Sequence, residues 1–517
     1  MKLLIKILIA FILMTSVAWG ADCGGVTACN SGDTVTSNYT LSENLSCTTG
    51  SGLILGSGVE LDLNGYSIIG DDANCLNGIL ATSSDNILIT GPGSIETTEE
   101  FGIKILGGIG ITIQNLTIDD VFGSDGSTAG DGIYFGFNGS NEDEPQDVTV
   151  SGNTIGSGSN SIIRQGIAVT GGEDYTITGN TINGGRIGID IEPNASRTLT
   201  GPVLITDNVI NTLANTDAQG GQEYHFGISI DEITGTLEGV VQVTNNSINL
   251  NDEMFNSVAT GLYIRSLENT GTFTMEGNSI SGVKIGIYVF GPMDQTLNIK
   301  RNTVKGGPVN KSVGLNMYTN SAATAISNVT VSNNIFEDFL NTIDYNASST
   351  GTVSANILNN DIDCDAVQYF CLRVKDFANT ATIKNNIFFG TPSAGAVYLQ
   401  VAGATPTVDI DYNLYESEGS YWNWQGYTDI AFAAWDDNAD ANGVNADPLF
   451  QSTTDFRLRR DSPAINVGDS TLGAAYATDY LGFNQDLYGA EWEIGAHAFV
   501  GGTITGGGSG TIEGTEP

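Results

Sequence analysis

Residues 175–191 read YTITGNTINGGRIGIDI and contain, in order, three short segments that recur along the chain. The first, Tyr175–Thr178, alternates apolar and polar residues, as a half-buried strand does. The second is Asn180 with an apolar residue two positions later, and the third is Gly188 followed by apolar residues that alternate with outward-facing ones. A compact unit of three strand-like segments that repeats many times is the pattern of a solenoid.

The asparagine segment is the most regular of the three. It occurs ten times, and successive steps are 27, 28, 38, 32, 24, 32, 26, 26 and 27 residues. This spread indicates a coil of constant size with loops of variable length at its corners. Because asparagine tolerates left-handed turns and can hydrogen-bond the backbone of the next coil, we predict a structural role for this column. Its members are Asn153, Asn180, Asn208, Asn246, Asn278, Asn302, Asn334, Asn360, Asn386 and Asn413.

The glycine segment has the strict alternation of a half-buried strand over four residues, as in Gly227–Ile230 and Gly261–Ile264. One coil cannot bury its own apolar side, so coils must stack and place isoleucine on isoleucine along the interior. The sequence therefore predicts an all-β parallel β-helix solenoid of roughly 12 coils, about 55–60 Å long at the strand spacing.

The repeats resemble those of the right-handed parallel β-helix proteins, the pectate-lyase-like superfold, from about Cys23 to Phe499. Residues 61–70 are similar to the first coils of many exported members. A terminal block is similar to one in carbohydrate-related members, and it comprises 447–450, 455–458, 462–465 and 494–496. The block departs from the family at His497-Ala498, where an aromatic and an acidic residue are more usual. The resemblance implies the fold but no single activity, because this superfold hosts lyases, hydrolases, epimerases and non-enzymes.

The chain divides into five predicted parts. Residues 1–20 have the charged start, the apolar run and the small-residue end of a secretory signal peptide, and the run is too short to span a membrane. We interpret residues 21–50 as an N-terminal cap, 51–415 as the β-helix repeats, 416–500 as terminal coils with a C-terminal cap, and 501–517 as a flexible Gly-rich tail. The aromatic-rich part of 416–500 is interpreted as a capping layer, with a sugar-binding platform as the alternative.

Charge and cysteine content restrict the partners and the compartment. The formal net charge is −41, or −43 without the two lysines of the signal peptide, which argues against nucleic acid and membrane insertion. Six cysteines in an exported chain indicate disulfides. We predict that Cys364 pairs with Cys371, and that Cys23, Cys29, Cys47 and Cys75 pair among themselves in one of three possible ways. We expect a monomer that is secreted or held at the cell surface.

Alignment of the glycine segments predicts one outer face with mixed chemistry. Two positions before the glycine stand Arg164, Arg186, His225 and Lys284. Outward positions within and just after the strand carry Asp190, Glu192, Ser229, Asp231, Tyr263, Arg265, Tyr288, Phe290, Asn316 and Tyr318. Aromatic faces can stack on sugar rings, and cations can hold an acid sugar. We therefore predict a polysaccharide ligand that contacts Glu192, His225, Tyr263, Arg265 and Tyr288.

Three interpretations of the charged residues stay open. Lyases of the superfold use an Arg or Lys base near a Ca²⁺-type site, so the resemblance makes Arg186 or Lys284 the base and calcium the cofactor, held by Asp190, Glu192 and Asp231. Alternatively, Asp190 or Glu192 pairs with Asp231 as the acid and base of a glycoside hydrolase. In the third interpretation the charges neutralise one another across coils without catalysis.

The functional expectation is an exported β-helix protein that binds an acidic polysaccharide and cleaves it, if at all, by a lyase-like reaction. The catalytic candidates are Arg186, Asp190, Asp231 and Lys284. The alternative is a non-catalytic adhesin or structural scaffold. High acidity, the absence of a family-specific catalytic motif in the sequence and the Gly-rich tail favour that alternative.

Overall fold

The structure is a computed structural model. It describes residues 21–499 except for 72–73, 124–129, 138–142, 157–163, 194–196, 212–223, 232–235, 251–257, 268–270, 294–295, 309–310, 320–325, 327, 348–353, 366, 376–379, 393–396, 403–406, 417–421, 425–426, 431–439 and 488–490. The predicted signal peptide and the Gly-rich tail lie outside the described residues, as do Tyr421 and Trp435 of the aromatic-rich segment.

Three long sheets run the length of the molecule, and each coil contributes one strand to each sheet in the order sheet 1, sheet 2, sheet 3. Sheet 1 contains the glycine segments, and its strands are Asp22–Cys23, Asp33–Val35, Gly50–Leu55, Cys75–Thr82, Phe101–Leu106, Asp131–Gly136, Gln165–Val169, Ile187–Ile191, Tyr224–Asp231, Val258–Leu267, Ile285–Met293, Val313–Thr319, Asn341–Ala347, Phe370–Lys375, Val397–Ala402, Trp422–Trp424 and the antiparallel Tyr427–Ile430.

Sheet 2 precedes the asparagine column, and its strands are Tyr39–Thr40, Glu60–Asp62, Ile87–Thr90, Gly108–Gln114, Pro145–Ser151, Gly172–Thr178, Thr198–Thr206, Thr236–Leu237, Val241–Thr244, Thr272–Glu276, Thr296–Lys300, Val329–Ser332, Ser354–Leu358, Thr380–Lys384 and Thr407–Asp411. Sheet 3 follows the column, and its strands are Leu45–Ser46, Ser67–Ile69, Ser94–Thr98, Thr117–Val121, Thr154–Ile155, Thr181–Asn183, Val209–Asn211, Ser247–Asn249, Ser279–Val283, Thr303–Gly306, Ile335–Glu337, Asp361–Asp363, Ile387–Phe389, Leu414–Tyr415 and Val444–Asn445.

The predicted parallel β-helix is confirmed, but it is longer than expected. Sheet 3 has 15 strands, so the solenoid exceeds the predicted coil number and measures about 65–70 Å at the strand spacing. Extra strands lie at both ends: Asp33–Val35, Tyr39–Thr40 and Leu45–Ser46 already join the three sheets, and Val444–Asn445 continues sheet 3 after the last asparagine segment. Residues 33–46, within the segment predicted as an N-terminal cap, therefore pair with the next coil as a coil themselves, and the capping role of the segment stays a prediction. Their irregular sequence hid a coil that lacks the asparagine segment.

The glycines of sheet 1 are required by the interior packing. A Cβ on Gly227 would lie 2.6 Å from the carbonyl oxygen of Gly261 and 2.6 Å from Cγ2 of Ile248. Ile248 belongs to sheet 3, so its side chain fills the space that a side chain at Gly227 would need. The same contact between a sheet 3 isoleucine and a sheet 1 glycine repeats at Gly166 and Gly188. In each of these coils, an isoleucine side chain of sheet 3 thus packs against a glycine of sheet 1, which has no side chain to exclude it.

The asparagine column forms a continuous buried ladder, which confirms its structural role. The backbone N–H and the side-chain Nδ2 of each asparagine both donate to Oδ1 of the next one, as Asn180 does to Asn208 at 3.0 Å and 3.0 Å. The Nδ2 group also donates to a carbonyl of an earlier coil, at 2.9 Å from Asn180 to Val150. Because the turn is buried, these side chains satisfy corner amides that water does not reach.

The C-terminal segment, residues 447–499, folds back along the side of the solenoid; we call it the return segment. Its only described strands are Phe450–Ser452 and Asp455–Leu458, which form a hairpin, and it contains the short 3₁₀ helices Ser470–Leu472, Ala474–Tyr476 and Gln485–Leu487. Ala496 N donates to Asp361 Oδ1 at 3.0 Å, and Tyr480 lies 2.6 Å from the Thr303 hydroxyl. Trp422–Trp424 and Val444–Asn445 extend sheets 1 and 3 as terminal coils, and the return segment contacts coils before the last one; the C-terminal cap stays a prediction.

The return segment rests on asparagine doublets of the solenoid. Asn385 Oδ1 accepts from Asp469 N at 2.8 Å, and Asn359 Nδ2 donates to the Tyr476 carbonyl at 3.3 Å. Trp492 is buried there, with Nε1 donating to Asp486 at 2.7 Å, so it is not part of a sugar platform. The side chains of Trp422 and Trp424 lie outside the described part of the chain.

Three disulfides join the six cysteines. Cys364 bonds to Cys371 as predicted, and the other bonds are Cys23–Cys29 and Cys47–Cys75, which resolves the connectivity that the sequence left open. In the described chain, no helix is long and apolar enough to cross a membrane.

Candidate functional site

Strand register places the predicted outward residues in one column on the outer face of sheet 1. Asp190 pairs with Ser229, Ser229 with Tyr263, and Tyr263 with Tyr288 in successive coils. Tyr288 then pairs with Asn316. Residues that are far apart in sequence thus follow one another at about 4.8 Å along the solenoid, as predicted.

Two further columns flank this one. Asp231 pairs with Arg265, and Arg265 with Phe290, two residues after the central column. On the other side, the backbone bonds connect Arg164 to Arg186 and Arg186 to the strand of His225. Ala259 stands between His225 and Lys284 in this flanking column, because His225 pairs with Ala259 and Lys284 N donates to the Ala259 carbonyl.

Five half-buried aromatic rings form a continuous strip on this face; we call it the aromatic strip. Phe226 stacks on Tyr263 with ring centroids 4.4 Å apart, and Tyr263 meets Tyr288 edge to face at 5.7 Å. Tyr288 lies 5.9 Å from Phe290, which stacks on Tyr318 at 5.9 Å. Burial raises the pKa of Tyr263 to about 12, so its phenol is neutral over the physiological range.

Arg265 connects the aromatic strip to the acidic residues. Its guanidinium carbon lies 5.5 Å from the centre of the Phe290 ring, and its Nη1 lies 3.8 Å from Oδ2 of Asp231. Both contacts hold the cation against the face of sheet 1. Asp231 is therefore placed as an ionic partner of Arg265 in the structure.

Asp190 lies beside the aromatic strip and is almost fully buried, with 4% of the residue exposed. Its carboxyl accepts from Gln165 Nε2 and is hydrogen-bonded by Ser229. Burial, reinforced by the nearby Glu192 carboxylate, raises the pKa of Asp190 to about 7. A carboxyl with this pKa can hold or release a proton near neutral pH, as general acids and bases do.

A second buried acid, Asp131, was missed by the sequence analysis. It lies in the first position of the strand Asp131–Gly136 and is fully buried, and its Oδ2 pairs with Arg164 Nη1 at 3.2 Å. Burial raises the pKa of Asp131 to about 7 against the opposing effects of Arg164, Arg186 and Lys104. The sequence feature that could have indicated Asp131 is its acidic side chain directly before Gly132, a position at which no other glycine segment has an acid.

The structure does not bring all the predicted catalytic residues together. Lys284 stands three coil steps beyond Arg186, which is about 14 Å at the strand spacing. Among the described residues, neither side chain forms an ion pair. His225, predicted to contact the ligand, has only 2% of its surface exposed, so a ligand on this face could reach little of it.

The predicted calcium ligands do not form a coordination shell. In the described parts of the chain, no group of three or more His, Cys, Asp or Glu side chains is arranged to hold a metal ion. Asp190 is instead occupied by Gln165 and Ser229, and Asp231 by Arg265. The calcium site stays a prediction, and the residues present do not fit it.

Comparison with known families agrees with the architecture. Residues 165–338 match the family model described as the right handed beta helix region. Together with the three parallel sheets, this match shows that the chain is a right-handed parallel β-helix protein. No curated protein matches the sequence.

Several solved structures share the fold at low similarity. A mutant tailspike protein of E. coli bacteriophage HK620, in complex with a pentasaccharide, is 13% identical over 78% of this chain and 76% of its own, with a TM-score of 0.44. The A-module of a mannuronan C-5 epimerase of Azotobacter vinelandii is 12% identical over 74% and 91%, with a TM-score of 0.30. An exopolygalacturonase of Thermotoga maritima is 10% identical over 72% and 84%, with a TM-score of 0.28. All three TM-scores are below 0.5, so no property of these proteins is taken over to this chain.

Proposed function

We propose that this protein binds an extended acidic polysaccharide along the outer face of sheet 1. The observation that carries the proposal is the aromatic strip, whose rings lie 4.4–5.9 Å from their neighbours and span four successive coils. Three of its steps run from coil to coil, and the step from Tyr288 to Phe290 runs along one strand. Partly exposed aromatic faces in a row offer apolar contact to successive sugar rings, and the phenol groups offer hydrogen bonds. A linear polymer can follow such a row, whereas a compact ligand would use one part of it.

Local charge supports an acidic ligand. Arg164, Arg186, Arg265 and Lys284 lie on this face, although the chain has only 18 Lys and Arg and a formal charge of −41. The same face also carries Asp131, Asp190, Glu192 and Asp231, so the four cations offer an anionic polymer local contacts on a face of mixed charge. Three disulfides and the predicted signal peptide support action outside the cytoplasm, in solution or at the cell surface.

Cleavage of the bound polymer is a separate part of the proposal. A lyase-like reaction would take its base from Arg186 or Lys284, and their separation allows only one of them to act on a given sugar. Asp190 has a pKa near neutrality, as proton transfer requires, but with 4% of the residue exposed it is hardly more accessible to a ligand than His225. Calcium enters only as an additive in the assay, since no described cluster fits it.

The test is a glycan array probed with the exported chain, followed by titration of the best ligand into two variants. Tyr263→Ala with Tyr288→Ala should weaken binding by about tenfold or more, because each ring contributes on the order of 1 kcal/mol of contact. Phe483→Ala, which removes a partly exposed ring from the return segment, is the matched control and should change binding less than twofold.

Product analysis then distinguishes the remaining alternatives. The tightest glycan is incubated with and without calcium, and the mixture is examined for new reducing ends and for unsaturated ends. Unsaturated ends that disappear in Arg186→Ala or Lys284→Ala would support the lyase-like reaction. Binding without any product would favour the adhesin, and equal binding by the tyrosine and control variants would refute the proposed site.

A further inference from the structure

Asp131 is enclosed by positive charge on the outer face of sheet 1. Arg164 touches it directly, and Arg186 and Lys104 lie close enough to act on its carboxyl electrostatically. The backbone N–H of Asp131 donates to the carbonyl of Glu100, whose carboxylate lies 3.9 Å from Lys104. Three of the 18 Lys and Arg side chains in the chain are thus gathered around one buried acid.

The pairing between Asp131 and Arg164 is incomplete. Only Nη1 of the guanidinium meets the carboxyl, at 3.2 Å, and a fifth of the Arg164 side chain is exposed. Among the described residues, Oδ1 of Asp131 and Nε of Arg164 have no hydrogen-bond partner although both atoms are buried. An arginine has five donors and pairs best with a planar carboxylate through two of them. Asp131 therefore uses only part of the Arg164 guanidinium, and a fifth of the side chain stays exposed to a ligand.

The charge of this cluster depends on protons. The cations are Lys104, Arg164 and Arg186, and the acids around them are Glu100, Asp131, Asp190 and Glu192. With every acid ionised the cluster carries one net negative charge. When Asp131 and Asp190 are both protonated, the same cluster carries one net positive charge.

We propose that Arg164 and Arg186 form the subsite for a carboxylate group of the bound saccharide, and that protonation of Asp131 controls how strongly this subsite holds it. The inference rests on the proposed function and adds a specificity-determining pair and a regulatory acid. Ionised Asp131 is buried on the interior side of Arg164 and competes with the ligand for its guanidinium. Protonated Asp131 leaves the guanidinium to the saccharide. Because the pKa of Asp131 is raised to about 7, the change falls between mildly acidic and mildly alkaline pH.

The experiment titrates uronic-acid hexamers (galacturonate, mannuronate and guluronate) and the methyl ester of the tightest one between pH 5.5 and 8.5. The ester has the same ring number without the charge, and uronate carboxyls stay ionised throughout this range. We expect the wild type to bind the acid form about tenfold more weakly at pH 8.5 than at pH 5.5, and the ester to show no such dependence.

Three variants assign the effect to residues. Asp131→Asn should raise affinity for the acid form at pH 8.5, because its amide carries no charge, and leave only the smaller pH dependence that comes from Asp190, whose pKa is also raised to about 7. Arg164→Gln should lower affinity for the acid form by about tenfold and leave the ester within twofold. Arg459→Gln changes an arginine that is half exposed on the return segment, and it should have no effect.

The outcomes separate this inference from the proposed function. An unchanged preference for the acid form in Arg164→Gln would overturn the subsite while leaving binding on the aromatic strip intact. A pH dependence as large in Asp131→Asn as in the wild type would overturn the regulatory role. Circular dichroism at each pH shows whether a variant is folded, and Asp131→Glu provides a second titrating variant if the amide does not fold. In that variant, loss of the pH dependence would also contradict the proposal.

Discussion

Nδ2 of Asn413 donates to Oδ2 of Asp440 at 3.0 Å, so the buried asparagine ladder ends on a carboxyl group. The Tyr415 hydroxyl donates to the same oxygen at 2.9 Å, and Asp440 is fully buried. An asparagine side chain both donates and accepts and can continue the ladder, whereas an ionised carboxyl only accepts. The ladder thus ends with a residue whose chemistry differs from that of every step before it.

The first prediction concerns a central step of the ladder. Asn208→Ala removes the acceptor of two Asn180 groups and the donor to the Ile177 carbonyl, all buried. We expect a loss of about 2–4 kcal/mol in the free energy of unfolding, because the unpaired groups cannot reach water. Urea unfolding measures it. The control is Asn249→Ala, because Asn249 is exposed in the next coil, and it should lower the free energy of unfolding by under about 0.5 kcal/mol. Similar losses in both variants would contradict the role of the ladder in stability.

The second prediction concerns pH and the ladder end. Burial raises the pKa of Asp440 to about 7, above its value in the unfolded chain. Its contribution to stability is therefore complete below the unfolded value and is lost as the pH rises through about 7. Asp440→Asn keeps an acceptor and removes the charge. It should be stabilising by on the order of 2–4 kcal/mol at pH 8 and nearly neutral at pH 4, as measured by thermal melts.

Stability should fall with rising pH for the whole protein, as it does for Asp440. Asp131, Asp190 and Glu493 are also buried, and burial raises the pKa of each to about 7. Each one destabilises the fold when it ionises. We therefore expect the melting temperature to be higher at pH 5.5 than at pH 8.5. A melting temperature that rises over this interval would show that these groups stay neutral or find partners.

A further prediction tests the junction of sheets 1 and 3. Gly227→Ala places a Cβ against the Gly261 carbonyl and Ile248, both in the packed interior. We expect a loss of about 2–3 kcal/mol or failure to accumulate in soluble form. Gly171→Ala is the control, since its Cβ would meet no backbone atom and only the carboxylate of Glu144, at 3.2 Å, which is ion-paired with Arg197. Soluble yield and urea midpoints compare the two variants.

The last prediction tests how the return segment is held. Asp361→Ala removes the acceptor of Ala496 N and the partner of His497 Nδ1, which lies 3.3 Å from Asp361. Hydrogen exchange should become faster in residues 447–499 and stay slow in the ladder, because the coils are held by their own backbone bonds. Asp461→Ala, on an exposed part of the return segment, should leave exchange unchanged. Faster exchange throughout the solenoid would show that the segment is needed for the coils.

The repeat was predictable because its determinants are local. An apolar residue two positions after Asn180, and a glycine wherever an isoleucine of another sheet must fit, recur at spacings that a single sequence displays. The outer columns followed from the same alignment, since equal positions in successive coils must stack. The pairing of Asp190, Ser229, Tyr263 and Tyr288 was therefore visible before any coordinates.

Other features depended on contacts between distant segments. No local pattern indicates that the return segment lies against Asp361 and Asn385, because those contacts join parts of the chain that are 84 to 135 residues apart. The pKa of Asp131 depends on its burial and on cations contributed by three different coils. By itself the sequence determined the coil, its interior and the columns on its faces, since each follows from side-chain size and alternation. Only the tertiary structure decided which acids are buried and which cations face them, because desolvation and charge proximity are properties of the assembled surface.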